Sequence, residues 1–282
     1  MSTASRNRSN AHYFDLDLQD EGFVVVLLPR PKPAAQKEAS SSSSASGGVA
    51  IGPRALPKKT VEIRAKFGVP VVFEPSDENV TPQDLFQPSY SVVTMPQVHG
   101  FLHAEDSTSL LVYTDGVCLD NGGRRPRAGC AFVFRPSTQD PPTEGSVNFR
   151  LERTGPTDEI HPQTNKRAEL RAVLGAIRYR NWRQGGFRTM IIATDSDYVV
   201  RGVTRWVFVW LRDNWMRHKQ PVQNKDIWEA ILHEIKRWRR QGLEIKFWRI
   251  RKEWNKAASA LAREGAAKVA EERFINLSGM IA

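Results

Sequence analysis

The sequence predicts an α/β fold, a mixed five-stranded sheet in which three antiparallel strands precede parallel ones, flanked by helices. Two observations carry this expectation. From Ser109 onward, short apolar runs and helix-period segments follow one another in the order β-β-β-α-β-α-α-α-β-α. Within that order, Thr189 to Ala193 (TMIIA) is a brief, mostly apolar run of the kind buried in a parallel sheet.

The first strand begins at Leu110 to Thr114 and continues through Asp115-Gly116 and Val117-Cys118. The turn-rich DNGGRRPRAG links it to Ala131 to Arg135, and Ser146 to Arg153 alternates polar and apolar positions, so the three runs read as an antiparallel meander. Thr164 is placed to cap the first helix, in which Ala168, Ala172, Val173, Ala176, Ile177 and Tyr179 recur at helical spacing until Gly185-Gly186. Ser196 is placed to cap a second helix containing Tyr198, Val199 and Val200. Helices are then expected over Arg205 to Met216 and Asp226 to Gln241, with a strand at Leu243 to Arg249. The last helix is expected from Lys256 to about Arg273, capped by Asn255.

Before this domain, residues 1–107 read as a low-complexity, largely disordered arm, with a Ser/Ala/Gly stretch at 32–48 and recurrent Pro over 70–96. Phe23 to Leu28 and Val61 to Phe73 have strand-like apolar content, and the second is expected either to add an edge strand or to serve as linker. The domain itself is expected over 108–273, with a short tail at 274–282.

Of the 282 residues, 40% are apolar and 26% charged, a balance that excludes collagen, wholesale disorder and a disulfide-stapled miniprotein. No apolar run reaches the roughly 18 residues of a membrane span, and the opening MSTASRNRSN lacks a secretory hydrophobic stretch. An intracellular monomer without a membrane partner is expected, in nucleus or cytoplasm ahead of mitochondrion. Cys118 and Cys130 have neither CxxC spacing nor nearby histidines, so any metal is expected on oxygen ligands. Charge is segregated: residues 1–107 carry 10 Lys+Arg against 12 Asp+Glu, and residues 108–282 carry 31 against 19. Such a field favours a polyanion, nucleic acid first.

Three acids occupy comparable places: Asp115 late in the first strand, Glu169 early in the first helix, and Asp195 just past the buried strand. Each alone reads as a turn, an exposed helix residue or a loop cap. Together they are placed to converge at the carboxyl edge of an α/β sheet. Carboxylates gathered without Lys or Arg partners repel one another, and a hard divalent cation, naturally Mg²⁺, relieves this.

The strings YTDGVC (113–118), TNKRAELRAV (164–173) and ATDSDYVV (193–200) resemble the three acidic motifs of the type 1 ribonuclease H family, which cleaves the RNA strand of RNA/DNA hybrids. The resemblance runs through VTRWVFVWLRDNW (203–215), NKDIW (224–228) and NKAASALAREGA (255–266). It implies a ribonuclease H-like fold. It also implies Asp115, Glu169 and Asp195 as ligands of two Mg²⁺ ions, or of Mn²⁺ in their place, serving an in-line displacement that leaves 5′-phosphate and 3′-hydroxyl ends.

The chain departs from this family where the last helix should carry a fourth acid: Ser259 stands at that position. A histidine-bearing loop before that helix is also missing, RIRKEWNK (249–256) resembling the shorter form of fungal relatives. The expectation is a nuclease of reduced rate, with Asp197 or Glu253 as possible substitutes for the lost ligand. The alternative is an inactive hybrid or double-stranded RNA binding module, and a third reading is a retroelement remnant.

From Tyr198 to Lys256 there are 15 Lys+Arg against 6 Asp+Glu, and seven of the eight tryptophans. By resemblance this is the basic handle that grips the DNA strand, with Arg212, Arg217 and Lys219 on phosphates and Trp206 and Trp210 as contact surfaces. The bland reading makes Trp206, Trp228 and Trp248 core residues and RWRR (237–240) a solvated helix face. Asn121, Thr164, Asn165 and Asn224, with the backbone of Gly116 and Cys118, are expected to meet the hybrid through its minor groove.

Overall fold

The computed structural model describes residues 69–91, 97–137 and 145–279. The Phe23 to Leu28 segment, much of the arm and the end of the tail lie outside them. Among the described residues no helix is long and apolar enough to cross a membrane.

The elements are β1 (Val71–Val72), α1 (Pro82–Leu85), β2 (Phe86–Tyr90), β3 (His99–His103), β4 (Ser109–Leu119), β5 (Arg127–Val133), β6 (Ser146–Arg150), α2 (Asn165–Arg178), β7 (Thr189–Thr194), α3 (Asp197–Arg201), a π segment (Gly202–Trp206), α4 (Val207–Arg212), a small hairpin β8 (Met216–Arg217) and β9 (Gln220–Pro221), α5 (Lys225–Arg240), β10 (Glu244–Arg249), a 3-10 turn (Lys252–Trp254) and α6 (Lys256–Ala267). β5 pairs with β4 and β6 antiparallel, while β7 pairs with β4 and β10 parallel. The expected five-stranded mixed sheet is therefore present as the centre of a larger one.

Three further strands extend it. β1 adds parallel to β10, and β2–β3 adds antiparallel beside the first residues of β4, through Phe101–Leu111 and Leu102–Leu110. These pieces fall before residue 108, so the sheet does not start where the low-complexity arm was expected to end. β2 gives no period-two signal because four of its five residues, Gln87 to Tyr90, are exposed on the sheet edge, where Pro88 is tolerated.

Alternation along the central strands builds two cores. Leu110, Val112, Met190, Ile192 and Phe247 pack with α2 to α5 on one face, around Trp182, Trp228 and Trp238. Leu111, Tyr113, Ile191, Ala193 and Trp248 pack on the other face with Ala258, Leu261 and Ala262 of α6. α6 presses directly onto β5, since a Cβ at Gly129 would fall inside the backbone at Ala262 and Ala266.

Two helix ends differ from the sequence reading. The helix expected to reach Met216 stops at Arg212, because Asn214 and Trp215 both take left-handed backbone, φ 49° and 58°. The last helix stops at Ala267 rather than Arg273, and the chain beyond it lies along residues 153–154, where the amides of Arg153 and Thr154 donate to the carbonyls of Glu271 and Glu272.

Candidate active site

β4 and β7 run side by side up to the pair Tyr113–Ala193. Beyond it β4 continues against β5, and β7 ends at Thr194. Asp115 and Asp195 each stand two residues past that last pair. They flank the gap that opens between the strands, at the carboxyl edge where α/β sheets gather ligands.

Glu169 reaches the same place from α2. A Cβ at Gly116 would lie inside the backbone of Ala168 and Glu169, so glycine is what lets α2 settle onto β4 at this level. Burial raises the Asp115 carboxyl to about 6, opposed by the Ser259 hydroxyl and reinforced by Asp195. Burial likewise raises Glu169 to about 7, opposed by the Ser196 hydroxyl and reinforced by Asp115 and Asp195. Asp195 thus adds to the rise of both groups, while Lys252 opposes it at Asp115 and Lys166 at Glu169.

Neutral donors hold each carboxylate. Ser196 Oγ caps α3 by accepting from the Val199 amide at 3.2 Å, and it also donates to Glu169 Oε2 at 2.6 Å. Asp115 Oδ1 accepts from the Gly116 amide at 2.7 Å, and its Oδ2 accepts from the Ser259 hydroxyl. Asn255, expected as a cap, makes no side-chain cap bond. Its Nδ2 donates instead to Asp195 Oδ1 at 2.7 Å and to the Thr114 carbonyl at 3.1 Å. Sequence reasoning missed this role because position ahead of the helix fits a cap, whereas the backbone there (φ −106°, ψ 19°) is not the extended form that aims a side chain back at the first turn.

Of the two candidate substitutes for a fourth acid, Asp197 lines a cleft beside Glu169 and Asp195. Asp197 is ion-paired with Arg201 at 2.8 Å and Arg249 at 3.4 Å, and Glu253 is exposed on the 3-10 turn. Among the described residues, no three His, Cys, Asp or Glu side chains close to metal-holding distance. The donor set nevertheless fits a hard divalent cation. It consists of oxygens, gathers three carboxylates, and leaves Glu169 Oε1 and Asp195 Oδ2 outside the hydrogen bonds described above.

This cleft, of about 570 Å³, opens over Glu169 and Asp195 and is lined also by Asn121, Thr164, Asn165 and Gln223 among others. Thr164 Oγ1 caps α2 through the Arg167 amide at 3.2 Å. Asn165 bridges: its Oδ1 accepts from the Cys118 amide and its amide donates to Asn121 Oδ1 at 3.4 Å. The Cys118 N–H is therefore engaged within the protein. Asn224, in left-handed backbone ahead of α5, accepts from Arg167 Nη1 at 3.2 Å and donates to the Tyr198 hydroxyl at 3.4 Å.

The handle divides. Arg212, Arg217 and Lys219 are exposed, Arg212 beside Asp213 at 2.8 Å. Trp210 is 4% exposed and sits among Trp206, Trp215 and Trp228 with ring centroids 5.3 to 6.0 Å away, so it is core and not a contact surface. The reason is helical: Val203, Val207 and Trp210 form the inward stripe. Trp206 is half-buried at the margin, and Trp228 and Trp248 are core as expected.

Residues 107–267 match the RNase H family model. The chain belongs to the RNase H family. Ribonuclease H of Treponema pallidum is 36% identical over 124 residues, which cover 44% of this chain and 70% of that one. Ribonuclease H1 of Homo sapiens is 31% identical over 162 residues, covering 56% and 50%, so the chain spans half the length of that relative. Among solved structures, LC9-RNase H1, described as a type 1 RNase H with the type 2 active-site motif, is 26% identical with a TM-score of 0.38, covering 56% of this chain and 72% of that one. The acids Asp115, Glu169 and Asp195 and the position of Ser259 all lie inside the matched ribonuclease H region.

Proposed function

We propose that this ribonuclease H hydrolyses the RNA strand of RNA/DNA hybrids endonucleolytically, with Asp115, Glu169 and Asp195 holding divalent metal, Mg²⁺ or Mn²⁺. The observation that carries the reading is the placement of Asp115 and Asp195 at one level of the parting strands, with Glu169 brought onto them through Gly116. When bound, the metal supplies positive charge against the phosphorane and lowers the pKa of the attacking water. The chain's own residues set the geometry: Asn255 orients Asp195, Ser196 orients Glu169, and Ser259 with the Gly116 amide orients Asp115. Asn121, Asn165 and Gln223 offer the cleft's polar atoms to ribose, and Arg217 and Lys219 offer charge to phosphate. With Ser259 in place of a carboxylate, one anionic oxygen fewer is available, and the rate is correspondingly reduced.

A second reading has one observation in its favour. Ser259 spends its hydroxyl proton on Asp115, which suits a site that keeps its shape without its full charge, as in a hybrid-binding module. Cleavage of a labelled RNA/DNA hybrid by the full chain in Mg²⁺ and in Mn²⁺, beside Asp115→Asn, decides between them. Metal-dependent cutting abolished by Asp115→Asn supports the hydrolase. Tight hybrid binding without cutting supports the binder.

A further inference from the structure

The cleft lies at one end of the sheet, and a second cationic cluster lies at the other. α5 starts beside the cleft at Gln223 and Asn224 and ends in Arg237, Arg239 and Arg240. The loop before β7 meets that end: Arg183 Nε donates to the Gln241 carbonyl at 3.1 Å, and the Glu244 amide donates to the Arg188 carbonyl at 2.8 Å. Lys236 is one turn behind Arg240 on the same helix. Of the acids at this end, Glu234 is engaged by Arg178 at 2.9 Å and Arg237 at 2.7 Å and Glu244 by Lys246 at 3.3 Å, while Asp106, near Arg188 through Thr108, accepts from the Thr108 and Ser109 hydroxyls.

Cations in the last turn of α5 complement its dipole, which accounts for part of RWRR. It does not account for Arg183 and Arg188, which come from a separate segment and enlarge the positive area beyond the helix. Nor does the cleft account for the cluster. The seven steps from Arg188 to Asp195, through β7, span about 23 Å, and the 16 residues of α5 span about 24 Å. At physiological salt the Debye length is about 8 Å, so this charge is screened from phosphates held at the cleft.

We propose that Arg183, Arg188, Lys236, Arg239 and Arg240 form a second nucleic-acid backbone contact at the pole opposite the cleft, holding a further stretch of duplex by charge without reading sequence. The choice of polyanion rests on the reading of the cleft as a nucleic-acid site.

The test measures binding of a fluorescent RNA/DNA hybrid and of a DNA duplex to the full chain across a salt series. Arg188→Glu/Arg240→Glu is compared with the wild type and with Arg188→Lys/Arg240→Lys. Both side chains are exposed, and unchanged thermal unfolding verifies the fold. The expected result is weaker binding by the Glu variant, with the slope of log K against log salt reduced by roughly 2, since each lost phosphate contact removes about 0.9. The Lys variant should retain the slope. An unchanged slope in the Glu variant overturns the proposal, as does loss of binding to phosphatidylserine vesicles with nucleic-acid binding intact. A reduced slope in a chain that never cuts hybrid supports this proposal while overturning the hydrolase reading alone.

Discussion

Asn255 holds Asp195: its buried amide donates to the Asp195 carboxylate at 2.7 Å and, from the same nitrogen, to the Thr114 carbonyl at 3.1 Å. One side chain at the start of α6 thereby fixes the end of β7 against β4, on the strand that carries Asp115. Removing it in Asn255→Ala leaves a buried carbonyl and a carboxylate oxygen without their donor, a loss of about 1–3 kcal/mol. Partners of this kind, once removed, cost roughly 10–100-fold in metal affinity or activity. Thermal unfolding together with calorimetric titration of Mn²⁺ checks both expectations, and an affinity equal to the wild type's would refute the positioning role.

Ser259 gives a prediction whose sign depends on metal. Ser259→Asp places a carboxylate where a hydroxyl now donates to Asp115, a group that burial already pushes up to about 6. In EDTA the variant should melt below the wild type, because two carboxylates in contact repel. With saturating Mg²⁺ it should gain more in melting temperature than the wild type does, since stabilisation by a ligand grows with its affinity for the folded state. Melting curves with and without Mg²⁺ suffice, and equal gains in the two proteins would rule out a metal-facing role for this position.

Much of this site was legible in the sequence, because acids on either side of strand and helix boundaries leave fixed local marks. Thr164 and Ser196 were readable as caps for the same reason, and both do cap. What escaped depends on contacts distant in sequence. Asn255 finds partners 141 and 60 residues away. The extra strands escaped because β2 has an exposed, proline-bearing pattern that says loop until β3 is laid beside it. Trp206 closes the π segment and Trp210 lies in α4, and their spacing alone cannot say which side faces inward. Gly202 decides it by admitting Trp228 against the π segment, where a Cβ would collide with that indole.

The burial of Trp210 separates stability from binding. Trp210→Ala should destabilise the protein by about 3–5 kcal/mol, as for large buried aromatics generally. Arg217→Ala and Lys219→Ala, on the exposed hairpin, should leave unfolding within about 0.5 kcal/mol of the wild type. Each should instead weaken hybrid binding and lower its salt slope by about 1. Denaturant unfolding and anisotropy titrations distinguish these outcomes, and a Trp210→Phe variant that stays folded yet loses hybrid affinity would contradict the assignment of Trp210 to the core.

Arg167 and Asp226 form a bidentate pair at 3.0 and 2.6 Å, both side chains buried, tying α2 to α5 beneath the cleft. Arg167→Met leaves Asp226 as an uncompensated buried charge and should cost about 3–5 kcal/mol. Its pH dependence identifies the cause. His161 Nε2 lies 3.3 Å from Asp226, yet His161 is held below its usual value, by burial first and by the Arg167 charge next. In the wild type, therefore, the unfolded imidazole takes up a proton near pH 6.5 while the folded one resists, and His161 makes stability fall as pH drops below about 6.5. In Arg167→Met the opposing cation is gone and Asp226 is left facing His161, so the folded imidazole binds its proton more readily. The deficit of the variant should then shrink from pH 7.5 to about pH 5.5, because the folded variant gains a proton that the folded wild type does not. Asp115 and Glu169 also titrate in this range but are common to both proteins and cancel in the difference, whereas Asp226, stripped of its cation in the variant, takes up a proton on acidification in the same direction as His161. Urea unfolding of the two proteins at several pH values measures that difference, and a gap that stays constant or widens on acidification would show that His161 does not respond to the pair.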